Sequence, residues 1–188
     1  MKKIILSIAL IPFLFSCDSS SSESDTDDEG ILLMEERNAV AVIDAKSGSM
    51  TSGTVSFEEK DGEVEIDAEI KGLSPGSHAI HIHENGDCSA DDGKSAGGHW
   101  NPTNRAHGKW GMPPFHVGDI GNLEVGEDSV GTLSLETDKW CIGCEDANKN
   151  ILGKAIIIHE GPDDFSSQPS GAAGPRIGCG EIVESSVM

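Results

Sequence analysis

The chain of 188 residues has no tyrosine, only eight aromatic side chains and few basic residues, since 13 Lys and Arg stand against 33 Asp and Glu. Its net charge of -20 leaves no basic surface that could neutralise a phosphate backbone, which excludes nucleic acid as a partner. The longest apolar stretch, residues 4–15, is too short for a transmembrane helix of roughly 20 residues. The 23 glycines favour many turns over long helices. A single domain with a modest core is the organisation that fits this length.

The N-terminus has the pattern of a secretory signal peptide, because Lys2 and Lys3 precede the apolar stretch. The residues at its end, Leu14-Phe15-Ser16-Cys17, resemble the lipobox of bacterial lipoproteins, in which the cysteine is lipidated and becomes the first residue. This resemblance implies removal of residues 1–16 and a membrane anchor at Cys17, in the bacterial cell envelope, on its periplasmic or outer-surface face. The alternative is an ordinary signal peptide in which Cys17 is incidental.

A polar segment follows the cysteine. Residues 18–30 carry six acids and no base, and they contain too little apolar surface to fold. We therefore expect residues 17–36 to form a lipidated, disordered acidic tether, and residues 37–188 to form the folded domain. Removal of Lys2 and Lys3 would make the mature chain still more acidic.

The folded part is predicted to be all-β. Residues 62–70 alternate strictly between apolar and acidic side chains, which is typical of an antiparallel strand with one buried face. Similar short runs occur at residues 38–44, 54–58, 78–83, 130–135, 155–159 and 177–183. Seven or eight such strands favour a Greek-key β-sandwich or barrel. Two connections, residues 84–115 and 160–175, are too long for hairpins and are therefore expected to be functional.

Six of the seven histidines lie within these connections or within three residues of their ends: His81, His83, His99, His107, His116 and His159. In a strand, His81 and His83 point to the same face and can converge on one metal ion, whereas His78 points to the opposite face and is expected to be structural. Asp119 follows three residues after His116. Several imidazoles with one carboxylate suit zinc or copper.

The segments around these histidines resemble the copper/zinc superoxide dismutase family, in family order, over about residues 37–184. The matching segments are residues 76–84 (Gly-Ser-His-Ala-Ile-His-Ile-His-Glu), 97–102 (Gly-Gly-His-Trp-Asn-Pro), 107–108 (His-Gly), 116–122 (His-Val-Gly-Asp-Ile-Gly-Asn), 153–160 (Gly-Lys-Ala-Ile-Ile-Ile-His-Glu), 163–164 (Asp-Asp) and 174–180 (Gly-Pro-Arg-Ile-Gly-Cys-Gly). Each ligand of the family falls in its own motif, so the resemblance is specific.

The resemblance implies two metal sites that share one residue. Copper would be held by His81, His83, His99 and His159, and zinc by His99, His107, His116 and Asp119. A shared His99 requires an imidazolate, because a neutral imidazole has only one acceptor nitrogen. The family position of Asp163 implies that its carboxylate links His81 to His107 and fixes their orientation.

The activity implied by the resemblance is conversion of superoxide to oxygen and hydrogen peroxide. In that reaction copper changes its oxidation state and His99 carries a proton, while zinc positions His99, and Arg176 would attract the anionic substrate. The alternative is a copper- and zinc-binding or copper-handling lipoprotein of the same fold without turnover. The resemblance is compatible with either a monomer or a homodimer.

The four cysteines beyond Cys17 allow three pairings. The family pattern implies a bond between Cys88 and Cys179. Cys141-Ile142-Gly143-Cys144 departs from that pattern, and we expect a local disulfide between its two cysteines, with a copper-capturing thiol pair as the alternative.

A second departure is the absence of any base from residues 160–174. The steering of superoxide is therefore expected to come from the metals, Arg176 and bases of the first long connection, namely Lys94, Arg105 or Lys109.

Overall fold

The computed structural model describes residues 36–186, so the predicted signal peptide, the lipidated Cys17 and the acidic tether lie outside the described residues. Nine strands form the structure: β1 Arg37–Ala45, β2 Ser52–Lys60, β3 Glu63–Lys71, β4 Gly76–His83, β5 Gly121–Val125, β6 Val130–Thr137, β7 Ala155–His159, β8 Arg176–Glu181 and β9 Val183–Ser185. The helical structure in this range is one 3-10 turn, Lys94–Ala96. Within residues 36–186, no helix has the length and apolarity to cross a membrane.

The strands close into an antiparallel barrel. Neighbouring strands follow the order β2-β3-β6-β5-β4-β7-β8-β1, and β1 also pairs with β2, which joins the two ends of the sheet. Strand β9 continues beyond β8 and pairs with β1 at Val40 and Val183. The prediction of an all-β Greek-key fold is therefore confirmed, in the form of an eight-stranded barrel with one additional strand.

The barrel interior is made by the alternation seen in the sequence. In β3, the side chains of Val64, Ile66, Ala68 and Ile70 are buried and the intervening acids are exposed. Phe57 and Trp140 pack edge to face in the same core, with ring centroids 6.5 Å apart. The hydrophobic effect thus places the β3 carboxylates on the outer, water-facing surface.

Strands β4 and β7 differ because both of their faces are buried. Ile80 and Ile82 of β4 belong to the barrel core, as do Ile156 and Ile158 of β7. The alternate positions face away from this core, beneath the two long connections, and they include His81, His83 and His159. A strand covered on its outer side by loops can hold polar side chains in a dry environment.

One strand was missed by the sequence prediction, and one was predicted as continuous although the structure divides it. Strand β5 was not predicted, because it is short and its alternation includes only Leu123 and Val125 as large apolar residues. The single strand predicted for residues 177–183 is divided into β8 and β9, which are separated at Ile182.

Candidate metal centre

Two groups of metal-binding side chains lie next to each other on the outer surface of the barrel, and each set of ligand atoms lies within 4.8 Å of one another. The first group contains His81, His83, His99 and His159. Strands β4 and β7 pair side by side, which brings their outward-facing histidines together. His99 reaches this group from the first long connection, and an isolated β-bridge joins its backbone to His83.

The second group contains His99, His107, His116 and Asp119. All four belong to the connection between β4 and β5, so this group depends on how that loop folds. His99 is a member of both groups. Its Nδ1 lies 2.8 Å from Asp119 Oδ1, within the second group, and its Nε2 faces no partner within the described residues.

Backbone carbonyls fix the orientation of three of these rings. His83 Nδ1 donates to Gly97 O at 2.9 Å, His159 Nδ1 to Gly174 O at 3.2 Å, and His116 Nε2 to Arg105 O at 3.0 Å. A carbonyl oxygen can only accept, so each of these nitrogens carries the proton of the neutral ring. The opposite nitrogen then has a free lone pair, as a metal ligand requires.

Asp163 lies between the two groups, where the sequence resemblance placed it. Its Oδ2 is 3.0 Å from His81 Nε2, and its Oδ1 is 2.8 Å from His107 Nε2. The Asn122 amide holds the Asp163 backbone at both ends, accepting from its N–H at 2.7 Å and donating to its carbonyl at 3.0 Å. The Asp163 carboxylate therefore orients His81 in the first group and His107 in the second. It contacts Nε2 of each ring, and the opposite nitrogen, Nδ1, faces the centre of the group.

The ring nitrogens that face inward are buried and lack hydrogen-bond partners among residues 36–186. These atoms are Nδ1 of His81, His107 and His116, and Nε2 of His83, His99 and His159. His107 Nδ1 and His116 Nδ1 approach Asp119 oxygens at 3.0 and 3.1 Å but form no hydrogen bond with them, as expected of atoms that converge on a common point between them. A buried nitrogen without a partner is costly unless a metal ion binds it.

The donor chemistry fits two different metals. Four imidazoles in the first group are ligands that copper favours, and three imidazoles with one carboxylate in the second group are a zinc set. Copper and zinc therefore fit the residues present. The arrangement brings together every metal-binding residue implied by the sequence and leaves His78 out of both groups.

Burial keeps the first group neutral. It lowers the pKa of His99 to about 4 and that of His159 to about 3, and the pKa values of His81 and His83 also fall, with burial as the main cause in each case. In the second group, burial alone would lower the pKa of His107, but the carboxylates of Asp119 and Asp163 outweigh it and raise that pKa to about 9. Metal binds the neutral imidazole, so the proton that His107 holds in the metal-free protein has to leave when a metal ion binds there.

Arg176 lies at the rim of the first group. It is the first residue of β8 and pairs in register with His159 of β7. Its guanidinium donates to Gly93 O at 2.8 Å and to Gly97 O at 2.7 Å, so it also binds the first long connection to the barrel. Two of its five N–H groups are used in these bonds, which leaves others free to bind an anion.

Two of the other bases considered for steering have side-chain partners of their own. Lys94 forms a 2.7 Å ion pair with Asp92, and Lys109 lies over the Phe165 ring at 5.5 Å. Arg105 contributes its backbone carbonyl to His116. One nearby base was missed by the sequence reasoning: Lys46 donates to Cys88 O at 2.5 Å.

Two disulfides are present. Cys88 is bonded to Cys179, which lies three residues after Arg176 and is fully buried, so this bond attaches the first long connection to β8. Cys141 is bonded to Cys144 within a turn, as expected for the local pairing. The thiol-pair alternative does not match the bonded state of the structure.

Two amide side chains have roles near the site that the sequence reasoning did not identify. Asn122 holds Asp163, as described above. Gln168 holds His107 through its backbone, since its Oε1 accepts from His107 N at 2.9 Å and its Nε2 donates to His107 O at 3.0 Å. No sequence pattern marks Gln168, which is the only glutamine in the chain.

Known proteins resemble this chain both in sequence and in fold. The family described as copper/zinc superoxide dismutase (SODC) matches residues 51–182. An extracellular superoxide dismutase [Cu-Zn] from Brugia pahangi is 34% identical over 154 residues, covering 77% of this chain and 75% of the relative.

Two solved structures are also similar, each with a TM-score of 0.68 over 77% of this chain. One is a double mutant of a SOD-like protein from Bacillus subtilis, at 36% identity and 96% coverage of that chain. The other is the clock protein EA4, at 34% identity and 92% coverage.

Proposed function

The chain belongs to the copper/zinc superoxide dismutase family, and we propose that it is an active superoxide dismutase that converts superoxide to oxygen and hydrogen peroxide. Membership covers most of the domain, because the family match spans residues 51–182. Copper and zinc are the metals of this family, and the two ligand groups accommodate both.

One observation carries this proposal. Six buried ring nitrogens from two adjacent groups have no hydrogen-bond partner within the described residues, and one histidine, His99, belongs to both groups. We assign copper to His81, His83, His99 and His159, and zinc to His99, His107, His116 and Asp119. A protein that only needed a stable barrel would not bury six unpaired nitrogens in this way.

When bound, copper supplies the one-electron redox couple that dismutation requires, whereas zinc is redox-inert. His99 is suited to proton transfer, because Asp119 holds its Nδ1 side while Nε2 faces the first group. A proton held at His99 Nε2 would lie on the side of the first group, where superoxide needs a proton as it is reduced to hydrogen peroxide. Burial lowers the pKa of His99 to about 4, so the ring is neutral near pH 7, in the form that binds metal.

Arg176 would bind and orient the substrate. Superoxide is a small anion, and a guanidinium keeps its charge at every physiological pH. The two loop carbonyls of Gly93 and Gly97 hold the side chain in one orientation before the substrate arrives, so little ordering is needed on binding.

Fold likeness alone does not establish turnover. One structural relative is described as SOD-like and another as a clock protein, so the second candidate function is a metal-binding protein of the same fold without activity. The presence of both complete ligand groups together with Arg176 favours the enzyme. Loss of a copper ligand or of the arginine would have favoured the alternative.

We also propose that the protein acts outside the cytoplasm, attached to the cell envelope through a lipid at Cys17 and a tether of residues 17–36. Two observations support an oxidising compartment: the domain contains two disulfides, and the similar protein from Brugia pahangi is named extracellular. In this location the enzyme would protect the envelope from superoxide.

Metal analysis combined with an activity assay of the mature protein tests the proposal. One copper and one zinc per chain, together with catalytic loss of superoxide, are the expected results. Zinc without copper, or no turnover after copper loading, would favour the non-catalytic alternative.

A further inference from the structure

The second long connection contacts the first at the backbone of His107. The amide of Gln168 satisfies both polar backbone groups of His107, accepting from its N–H at 2.9 Å and donating to its carbonyl at 3.0 Å. No other hydrogen bond to these two backbone groups occurs among residues 36–186. The Gln168 side chain thus forms with the His107 backbone the two hydrogen bonds that a neighbouring strand would otherwise provide.

The same loop also holds the His107 ring. Asp163 Oδ1 lies 2.8 Å from His107 Nε2, and Asn122 anchors the Asp163 backbone to β5. Residues 163–171 then turn back on themselves through hydrogen bonds from Asp164 N to Gly171 O and from Gly171 N to Ser167 O. His107 is therefore held at its ring by Asp163, at the start of this turn, and at its backbone by Gln168, within the same turn.

Gly171 lies at the end of this turn, next to the hydrogen bond between Asp163 and His107. Its φ is 67°, and a β-carbon at this position would lie 2.8 Å from His107 Nε2 and in closer contact with the Asp163 carboxylate. Only a residue without a side chain can approach so near while Asp163 keeps its hydrogen bond to His107. The Gly171 backbone thus packs directly against the hydrogen bond between Asp163 and His107.

From this arrangement, we propose that Gln168 is a positioning residue for zinc: it holds His107 in place through the backbone and slows the release of the metal. The proposal rests on the zinc assignment of His107 made above. It also gives residues 160–174, which contain no base for steering, a different role, that of fastening the zinc-binding loop.

Only the position of His107 should depend on Gln168, and not the folding of the barrel. Gln168 is exposed, and both Gln168 and His107 lie in loops outside the nine strands. Removal of the amide should therefore loosen the loop and leave the barrel strands intact. Zinc release should change while the melting temperature of the metal-free protein stays nearly the same.

The experiment uses the copper- and zinc-loaded protein and the variant Gln168→Met, which keeps the side-chain length but cannot form either hydrogen bond. Release of zinc to a chromogenic chelator is followed at constant pH, while retained copper is measured by mass spectrometry. Asn148→Leu is the matched control, because Asn148 is an exposed amide whose side chain makes no hydrogen bond within the described part of the chain.

We expect Gln168→Met to release zinc about tenfold faster than wild type, in line with the effect of removing groups that orient metal ligands. Copper content and the melting temperature of the metal-free protein should match those of Asn148→Leu. Cobalt placed in the zinc site should show an altered visible spectrum in the variant only.

Equal zinc release from wild type and Gln168→Met would overturn this inference while leaving the enzyme assignment intact. A wild-type protein that binds no zinc would instead overturn the zinc assignment itself. Gly171→Ala provides a second, independent variant, compared with Gly48→Ala, where φ is also positive but no atom lies within 4 Å of the added carbon. Faster zinc release is expected only from Gly171→Ala, and equal release from the two would count against the proposal.

Discussion

Arg176 and His83 donate to the same acceptor, the carbonyl oxygen of Gly97, at 2.7 and 2.9 Å. One carbonyl therefore orients both the guanidinium proposed to attract the substrate and a ring proposed to bind copper. The Cys88–Cys179 disulfide secures this part of the molecule, since it joins the first long connection to the strand that carries Arg176.

Replacing Arg176 by alanine should slow dismutation without emptying either metal site. Hydrogen bonds to a charged group contribute about 1.5–3 kcal/mol, so a rate lower by about 10- to 100-fold is expected. Arg176→Lys should give an intermediate rate, because it keeps the charge but not the planar donors. The rate and the metal content are measured together, and loss of copper from Arg176→Ala would show that its main role is structural.

Single replacements in the two groups should empty different sites. His83→Ala should lose copper and activity but keep zinc, because His83 belongs only to the first group. His116→Ala should lose zinc and keep copper. Metal-to-protein ratios measured by mass spectrometry provide the test, and loss of both metals from His83→Ala would contradict the assignment of separate ligand groups.

The barrel strands and the pairing of His81 with His83 could be predicted because they depend on local patterns. The strict alternation in β3 indicated a barrel strand, and the spacing of His81 and His83 put both rings on one face. The rest of the ligand set came from motifs in family order, and the structure brings these residues together.

Other features could not be predicted because they depend on contacts between distant segments. Gln168 and His107 are separated by 61 residues, and the amide recognises backbone groups that every residue has. Arg176 likewise binds loop carbonyls at Gly93 and Gly97 rather than side chains. Strand β5 was missed because its pairing with β4 outweighs a weak local preference at Gly121 and Asn122.

The two disulfides should differ in their resistance to reduction. Cys179 is fully buried and its bond spans 91 residues, whereas the Cys141–Cys144 bond spans three and lies in a turn. Side chains also hold that turn, as Glu59 accepts from Ile142 N at 2.7 Å and Asn150 accepts from Gly143 N at 3.0 Å. Chain entropy predicts a contribution of about 2 kcal/mol for the short loop and about 4 to 5 kcal/mol for the long one.

Mild reduction of the native protein should therefore open Cys141–Cys144 first and leave the fold and metal content unchanged. Differential alkylation followed by mass spectrometry identifies which pair reacts. Reduction of Cys88–Cys179 at a reductant concentration that leaves Cys141–Cys144 intact would contradict this prediction.

The acidic surface should have little influence on the reaction rate. Glu58, Glu65 and Glu136 lie opposite one another across β2, β3 and β6. In the closed barrel, β3 is four strands away from β7, which carries His159, in either direction. Charges on that wall are screened at physiological salt, where the Debye length is about 8 Å.

The local field of the metals and Arg176 should thus control the encounter with superoxide, and we expect the rate to fall modestly as salt increases. Glu65→Gln should leave the rate unchanged. The salt dependence of the second-order rate constant checks this expectation, and a rate that rises with salt would show that repulsion by the whole protein dominates.

The proposal that this chain is an active dismutase is tested most directly by following superoxide decay after pulse radiolysis with two preparations, one loaded with copper and zinc and one with zinc alone. We predict that decay accelerates in proportion to the concentration of the copper-loaded protein and that the zinc-only protein has no effect. A preparation with one copper and one zinc per chain that leaves the decay unchanged would contradict the proposal.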